Sequence, residues 1–462
     1  MVLTILAWVM IAVFMYIIMT KKLSPLTALV MVPLVFAIVA LIAGVVPASG
    51  FDDGDGGTLS AIAALGGWVK SGIKTTSNTG IMLLFAILYF SIMLDAGMFD
   101  PITKKMIIFA KGDPMKVLMA TAIVAACVSL NGDGTTTTLI CCTAFLPIYK
   151  KLNMKIMNLG VLVILQNTIM NLLPWGGPTA RAMAVMNVGS EILAFLLPGM
   201  LISIAFVIGV VAPTMGRAER KRLGVKEMTP EEIDELTAVD DPDTQAIRRP
   251  KLFWFNLILT IVLVAWLVAG SFISDIELPS TMLFIVGTCI ALLVNYPNLK
   301  DQSARIGANG GDAVQVVVLV FAAGVFMGLF QGSGMADALA QSLVTIIPKQ
   351  LGGFWGLIVA LISAPGTFFL SNDGFYFGVM PALAQAGYAY GFTPLQMALA
   401  SLMGQAFHLL SPLVAFIYLL LRLTGLDMGE WQRTAGKWAC CIFVIFCVTI
   451  VLSGHMPLYI AQ

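Results

Sequence analysis

Long apolar stretches alternate with short polar segments along almost the whole chain. A helix needs about 20 apolar residues to cross the hydrocarbon layer of a bilayer, and by this measure the pattern predicts about ten transmembrane helices. They are expected at 2–20, 26–46, 79–98, 156–188 (interrupted), 190–213, 252–273, 280–296, 311–331, 393–423 (interrupted) and 435–454.

Two further apolar stretches, 115–148 and 353–388, are each interrupted by a polar run that contains glycine. Basic residues concentrate on the cytoplasmic side of membrane proteins. If Lys21 and Lys22 lie inside and neither interrupted stretch crosses, about 22 of the 26 Lys and Arg residues fall inside. A crossing by either stretch would flip every later loop and remove this bias. The charge pattern therefore predicts two re-entrant hairpins, with the acidic loop at 52–55 outside.

The composition excludes a soluble protein. Of the 462 residues, 59% are hydrophobic and 11% are charged, whereas a soluble domain is about 45–50% apolar and about 25% charged. A disordered chain is excluded by the same values, and a net charge of +1 gives no basic surface for nucleic acid. The first apolar stretch has neither a basic start nor a small-residue cleavage site, so we expect it to be retained. The sequence predicts an all-α polytopic membrane protein.

The two halves of the chain resemble each other. Residues 1–213 and 252–462 carry matching polar motifs in the same order, and the charged segment 214–251 between them is predicted to be a cytoplasmic linker. Each half has five crossings and one hairpin, so the second half is expected to be inverted relative to the first. Inverted repeats with broken helices are typical of secondary transporters. The matching motifs are LFA at 84–86 and VFA at 320–322, DAGMFD at 95–100 and GSGMAD at 332–337, SLNGDG at 129–134 and LSNDG at 370–374, and Gln166 with NLLP and Gln405 with HLLSP.

The hairpin tips carry the chemistry expected of an ion-binding and anion-binding site. Each contains an aspartate, Asp133 or Asp373, and carboxylate oxygens suit Mg²⁺ or Ca²⁺. Backbone amides at the start of each returning half-helix favour an anion. An aspartate at membrane depth costs about 2.5–3.5 kcal/mol, which indicates a functional role. The accompanying polar candidates are Asn131, Gly132, Thr135, Ser371, Asn372 and Gly374.

The two interrupted spans supply further candidates. Two prolines bracket two glycines at 174–178, which breaks the helix and frees carbonyl groups. Arg181 lies deep in this span and suits a carboxylate, although it could also reach the outer interface or pair with Glu191. His408 at the second break could titrate or simply pack. Nearby candidates are Gly177, Thr179 and Ser411, and Asp95 and Asp312 are weaker acidic candidates expected at span ends.

Three motifs resemble the citrate–divalent metal–proton symporter family of the ion transporter superfamily. They read NGDGTTTT at 131–138, PWGGPTAR at 174–181 and LSNDGFYFG at 370–378. The resemblance implies a homodimer in the cell membrane that moves a citrate–metal complex elevator-fashion together with protons, without a permanent cofactor and without enzymatic activity. Relatives in the superfamily carry Ser-Asn-Thr at both tips. The aspartates of this chain depart from that pattern, which puts a two-sodium site in doubt.

A divalent metal lowers the charge of citrate from about −3 to about −1 and so lowers the cost of dehydrating it. We expect Arg181 and the half-helix amides to hold free carboxylate, and Asp133 and Asp373 to hold the metal. Asp133, Asp373 and His408 are the proton-coupling candidates, in no firm order. The alternatives are a sodium/proton antiporter, a symporter of another di- or tricarboxylate, a channel and an intramembrane aspartyl protease.

Overall fold

The structure is a computed structural model that describes residues 1–52, 58–225, 228–229, 232, 242–270, 272–273, 278–346 and 348–461. These residues form helices and connecting turns, with no β-strand beyond one isolated bridge between Asp52 and Thr58. The predicted outside residues Asp53 and Asp55 lie outside the described residues.

The first half contains α1 (Val2–Met19), α2 (Pro25–Ile42), α3 (Ala61–Asp95), α4 (Asp100–Ala110), α5 (Pro114–Val128), α6 (Gly134–Lys151), α7 (Ile156–Met170), α8 (Gly177–Met186), α9 (Ile192–Phe206) and α10 (Ala212–Leu223). A short helix, α11 (Pro242–Ile247), precedes the second half. The second half contains α12 (Phe253–Gly270), α13 (Ser280–Asn295), α14 (Leu299–Gly332), α15 (Met335–Ile346), α16 (Lys349–Gly352), α17 (Trp355–Phe369), α18 (Met380–Ala389), α19 (Pro394–Leu402), α20 (Gln405–His408), α21 (Ala415–Thr424) and α22 (Met428–Leu452).

The outer helices expose apolar side chains. On α12, Trp254 is 63% exposed, and Ile258 and Ile261 are each 56% exposed. Contiguous exposed apolar surface is stable against lipid and not against water. The prediction of an all-α polytopic membrane protein is confirmed.

The number of crossings stays a prediction. Eight helices in the described part of the chain are long and apolar enough to span a bilayer, and seven of them coincide with predicted crossings. The eighth covers Pro114–Asn131, the first arm of the predicted hairpin at 115–148. Of the other predicted crossings, 156–188 and 393–423 are broken where the sequence places the breaks, and the helix at 280–296 has 16 residues.

The two longest helices, α3 and α14, run antiparallel along each other. At one end a β-carbon on Gly328 would lie 2.2 Å from the carbonyl oxygen of Trp68, and one on Gly72 would lie 2.0 Å from that of Gly324. Glycine is required here because the two backbones are in contact. At the other end, the carboxylate of Asp95 on α3 lies 3.3 Å from Nη1 of Arg305, which is in the second turn of α14.

The two predicted hairpins are antiparallel helix pairs. In the first pair, Asp113 before α5 lies 3.7 Å from the guanidinium of Arg220, and the carbonyl oxygen of Asn153 after α6 accepts a 2.8 Å hydrogen bond from Arg222. Both ends therefore meet the same helix, α10. In the second pair, Trp355 at the start of α17 donates a 2.8 Å hydrogen bond to the carbonyl of Leu383 on α18, and its ring lies 5.9 Å from that of Tyr390, directly after α18. Whether the pairs stop inside the bilayer stays a prediction.

The order of helices repeats between the halves. A long helix ends at a glycine in the left-handed conformation, Gly97 or Gly334, each with φ of +76°. A short helix, a hairpin, a broken helix and a final long helix follow in both halves. The inverted relation of the halves stays a prediction, which the antiparallel course of α3 and α14 supports.

The predicted linker is tied to the helix ends beside it. The last long helix of the first half continues through a π-turn at Val207–Val211 to Leu223, beyond the predicted boundary at 213. At the other end of the linker, the amide of Arg249 donates to the carbonyl of Ala96 at 2.9 Å, and its side chain donates to that of Asn295 at 2.8 Å. Most of the acidic part of the linker lies outside the described residues.

Candidate functional site

The first tip reverses the chain between α5 and α6. A single 3₁₀ turn, Ser129–Asn131, leads to Gly132, whose φ of +77° is readily adopted only by glycine. Asp133 then caps α6. Its carboxylate accepts hydrogen bonds from the amides of Thr136 at 2.6 Å and Thr135 at 3.3 Å. A carboxylate at this position also interacts favourably with the helix dipole.

The helix cap formed by Asp133 changes the predicted role of the amides at the start of α6. We expected the first amides of this half-helix to bind a substrate carboxylate, but Asp133 itself occupies two of them. Because the cap fixes its position, the Asp133 carboxylate is presented at the tip in a defined orientation. Asn131 supports it by accepting a 2.8 Å hydrogen bond from the amide of Asp133.

The first tip faces a cavity of about 460 Å³ at the linker end of the α3–α14 pair. Five of the predicted binding residues line it, together with side chains that the sequence analysis placed elsewhere or missed. The lining comprises Asn131, Gly132, Asp133, Thr135, Thr136, Trp175 and Gly177, residues Ile87, Ser91 and Leu94 of α3, and residues Asn309, Asp312, Gln315 and Val316 of α14.

The break between α7 and α8 holds the first tip in place. A β-carbon on Gly176 would lie 2.1 Å from the carbonyl oxygen of Asn171, so the turn admits only glycine. Trp175 donates a 2.7 Å hydrogen bond to the carbonyl of Leu130 in the tip. Thr179, a predicted substrate ligand, is fully buried, and its hydroxyl donates to Asn171 at 3.4 Å.

Arg181 on α8 binds the second tip. Its Nε donates to Oδ1 of Asp373 at 2.7 Å, and its Nη1 donates to the carbonyl of Gly177 at 2.8 Å. The side chains are 16% and 17% exposed. The alternative partner, Glu191, instead accepts a hydrogen bond from the amide of Gly189. Arg181 thus neither reaches the outer interface nor pairs with Glu191, because the folded chain brings an aspartate of the other half against it.

Polar contacts also fix the second tip. Ser371 accepts a 3.1 Å hydrogen bond from the amide of Gly374, where a π-helical turn begins. Asn372 accepts a 3.0 Å hydrogen bond from Gln405, which also donates to the hydroxyl of Tyr376 at 3.1 Å. Gln405 was absent from the predicted binding residues, although its place in the repeated motif was a signal.

The side chains of two predicted site residues form hydrogen bonds with backbone groups. Nδ1 of His408 lies 2.8 Å from the carbonyl oxygen of Thr367, and it must carry a proton because that oxygen only accepts. Ser411 accepts a 3.1 Å hydrogen bond from the amide of Leu413. Neither residue lines the 460 Å³ cavity. A proton-coupling role for His408 stays a prediction.

Helix α8 connects two cavities. Its first residue, Gly177, lines the cavity at the first tip. Ala184 and Val185, near its end, line a second cavity of about 340 Å³ beside Trp68 and Gln331, at the opposite end of the α3–α14 pair. Arg181 and its partner on the second tip therefore lie between two cavities at opposite ends of the α3–α14 pair. Within the described residues, no group of three or more His, Cys, Asp or Glu side chains is placed to hold a metal ion.

This architecture, with broken helices, polar tips and two opposed cavities, is that of a multi-pass membrane transporter. A crystal structure of the YdaH transporter of Alcanivorax borkumensis has a similar fold, with a TM-score of 0.59 and 14% sequence identity over 93% of this chain and 100% of that one.

Sequence comparison gives the family: the profile of the citrate transporter family matches residues 14–404, and the chain belongs to this family. A citrate transporter of Bacillus subtilis (strain 168) is 44% identical over 98% of this chain and 99% of its own length. A Mg²⁺/citrate complex secondary transporter of the same organism is 40% identical over 99% of each chain. The predicted family is confirmed, and the protein is a multi-pass transporter of the cell membrane and not an enzyme.

Proposed function

We propose that this transporter takes up citrate as a complex with a divalent metal ion, coupled to protons, by alternating access. The observation that carries the proposal is the position of the Arg181–Asp373 ion pair between two cavities at opposite ends of the α3–α14 pair. A charged pair at that position costs desolvation energy, and a cargo that exchanges with it gives that cost a function. The name of the Bacillus subtilis Mg²⁺/citrate relative supports the choice of cargo.

The charges of the site match a metal–carboxylate complex. Metal-bound citrate carries about −1 and exposes both a metal face and free carboxylate. Mg²⁺ prefers an octahedral shell of oxygens with several waters and one or two carboxylates. In the proposal, Asp133 contacts the metal, Arg181 binds free carboxylate, and Asp373, displaced from Arg181 by the cargo, carries the proton. Neutral groups complete the site: Asn131, Gly132, Thr135, Gly177, Thr179, Ser371, Asn372, Gly374 and Ser411.

Proton coupling follows from exchange of the partner of Arg181. Free of cargo, Asp373 has the guanidinium as its counter-charge at 2.7 Å. A citrate carboxylate that takes Arg181 removes this counter-charge, and a carboxylate without one favours its protonated form inside a protein. Cargo binding and proton uptake then occur together. Asp133 keeps its two amide donors whether or not cargo is bound, so cargo binding does not remove the groups that stabilise its carboxylate. We therefore favour Asp373 over Asp133 as the proton carrier.

We further propose that the halves form inverted repeats with re-entrant hairpins and move as an elevator in a homodimer. The backbone contact of α3 with α14 would provide a rigid part, and the hairpins with α8 would move against it. The linker end of the molecule would face the cytoplasm, because the basic residues gather there. The cavity at the first tip then corresponds to an inward-facing state.

Uptake of labelled citrate into proteoliposomes tests the cargo and the coupling. Uptake should require Mg²⁺, Ca²⁺ or another divalent ion and should stop in EDTA. Acidifying the medium outside the vesicles should accelerate uptake by the wild type and His408→Asn but should leave uptake by Asp373→Asn unaffected. Citrate uptake that ignores every divalent ion refutes the cargo, and a D373N variant that still responds to acid refutes the coupling role of Asp373.

A further inference from the structure

We propose that Asp312 on α14 determines the specificity of the transporter for metal-loaded over free citrate. This inference rests on the proposed function, because it concerns the same cargo. Asp312 lines the same 460 Å³ cavity as the first tip, although the sequence alone placed it at the edge of a span. The helix begins at Leu299, so Asp312 lies in its fourth turn and not at its end.

Asp312 differs from the neighbouring Asp95 in its partners. The carboxylate of Asp95 accepts a 2.8 Å hydrogen bond from Asn309 and lies 3.3 Å from Nη1 of Arg305. Asp312 is exposed and forms no ion pair within the part of the chain that the structure describes. Its negative charge therefore acts on whatever enters the cavity.

Polar neighbours on the same helix face extend the surface that Asp312 offers. Asn309 lies one turn before it and Gln315 one turn after it, and both line the cavity. Asp133, on the first tip, lines the same cavity and is held by its helix cap. Among the described lining residues, the charged side chains are these two aspartates. The cavity thus offers two carboxylates on separate elements, with amide and hydroxyl groups between them.

Two carboxylates discriminate strongly between the two forms of citrate. Repulsion scales with the product of the charges, so free citrate at about −3 is opposed about three times as strongly as its metal complex at about −1. The complex also presents its metal ion to the aspartates. Removing the charge of Asp312 should therefore weaken the metal-loaded cargo and relax the exclusion of free citrate.

The test is labelled citrate uptake by proteoliposomes over a Mg²⁺ titration and in EDTA. Asp312→Asn should raise the Mg²⁺ concentration for half-maximal uptake about tenfold and should increase the fraction of uptake that survives EDTA. Asp312→Glu keeps the negative charge, so its uptake should depend on Mg²⁺ as that of the wild type does. Asp301→Asn is the matched control, because Asp301 is an exposed aspartate in the first turn of the same helix and does not line the cavity.

The outcomes separate this inference from the proposed function. A wild type whose uptake ignores Mg²⁺ refutes the metal-bound cargo and with it the role of Asp312. If the wild type requires Mg²⁺ and the D312N variant reaches half-maximal uptake at the same Mg²⁺ concentration, the role of Asp312 alone is overturned. An equal shift in D301N also overturns it, since the effect would then be a general one of surface charge.

Discussion

Replacement of Arg181 by lysine should severely weaken citrate binding although the positive charge is kept. Arg181 uses two different nitrogens, Nε toward Asp373 at 2.7 Å and Nη1 toward Gly177 at 2.8 Å. A lysine has one nitrogen at the end of a flexible chain and cannot reproduce a planar fork. In the proposed mechanism the same fork exchanges Asp373 for a citrate carboxylate, so its loss weakens cargo binding.

The size of the effect follows from the geometry. At 2.7 Å and an effective dielectric constant of about 20, two unit charges attract by about 6 kcal/mol before desolvation is subtracted. The net value of one hydrogen bond to a charged group is about 1.5–3 kcal/mol. Loss of one such bond to the cargo corresponds to roughly 10- to 150-fold weaker binding.

Equilibrium dialysis of purified protein in lipid nanodiscs measures this directly, with labelled citrate at saturating Mg²⁺. Arg217→Lys provides a matched control, because Arg217 lies exposed on α10 and outside the site. Thermal unfolding of both variants checks that the fold is intact. An R181K variant that binds citrate within about threefold of the wild type, or an R217K variant with an equal loss, refutes the proposed role of Arg181.

Two further predictions concern the fold. Gly328→Ala should destabilise the protein by about 1–3 kcal/mol because its methyl group would overlap the Trp68 carbonyl, whereas Gly436→Ala on α22, whose nearest neighbour would be 3.8 Å away, should be neutral or stabilising. Thermal unfolding compares them, and equal effects contradict the close α3–α14 contact. Single cysteines at Lys111 and Lys151 in a cysteine-free background should react with an impermeant maleimide from the same side; labelling from opposite sides shows that 115–148 crosses the membrane.

The sequence located the helix breaks but not the lengths of the long helices. Proline and glycine leave a local signal, which is why a break was predicted at 174–178, and the structure has it at 171–176. Helices α3 and α14 begin well before their apolar parts, at Ala61 and Leu299. Their polar turns resemble loops in a hydropathy profile. They are stabilised by contacts between the two helices, which depend on residues more than 200 positions apart.

The site was predicted residue by residue, but not as a set of pairs. Arg181 and Asp373 were each chosen because a charge at membrane depth is costly, and their pairing across 192 residues required the fold. The cap at Asp133 had a local signal, since an aspartate before a Gly-Thr-Thr run is typical of a helix start. Asp312 could not be placed from sequence, because its position in the cavity depends on the tip of the first hairpin packing beside α14.

Simultaneous uptake of two labels tests whether the cargo is a complex of citrate with a divalent metal. Proteoliposomes would receive labelled citrate and the labelled divalent metal that supports the fastest uptake, and both would be counted inside the same vesicles over time. We expect citrate and metal to accumulate in equal molar amounts and neither to accumulate without the other. Citrate that accumulates while the metal stays outside would contradict this expectation.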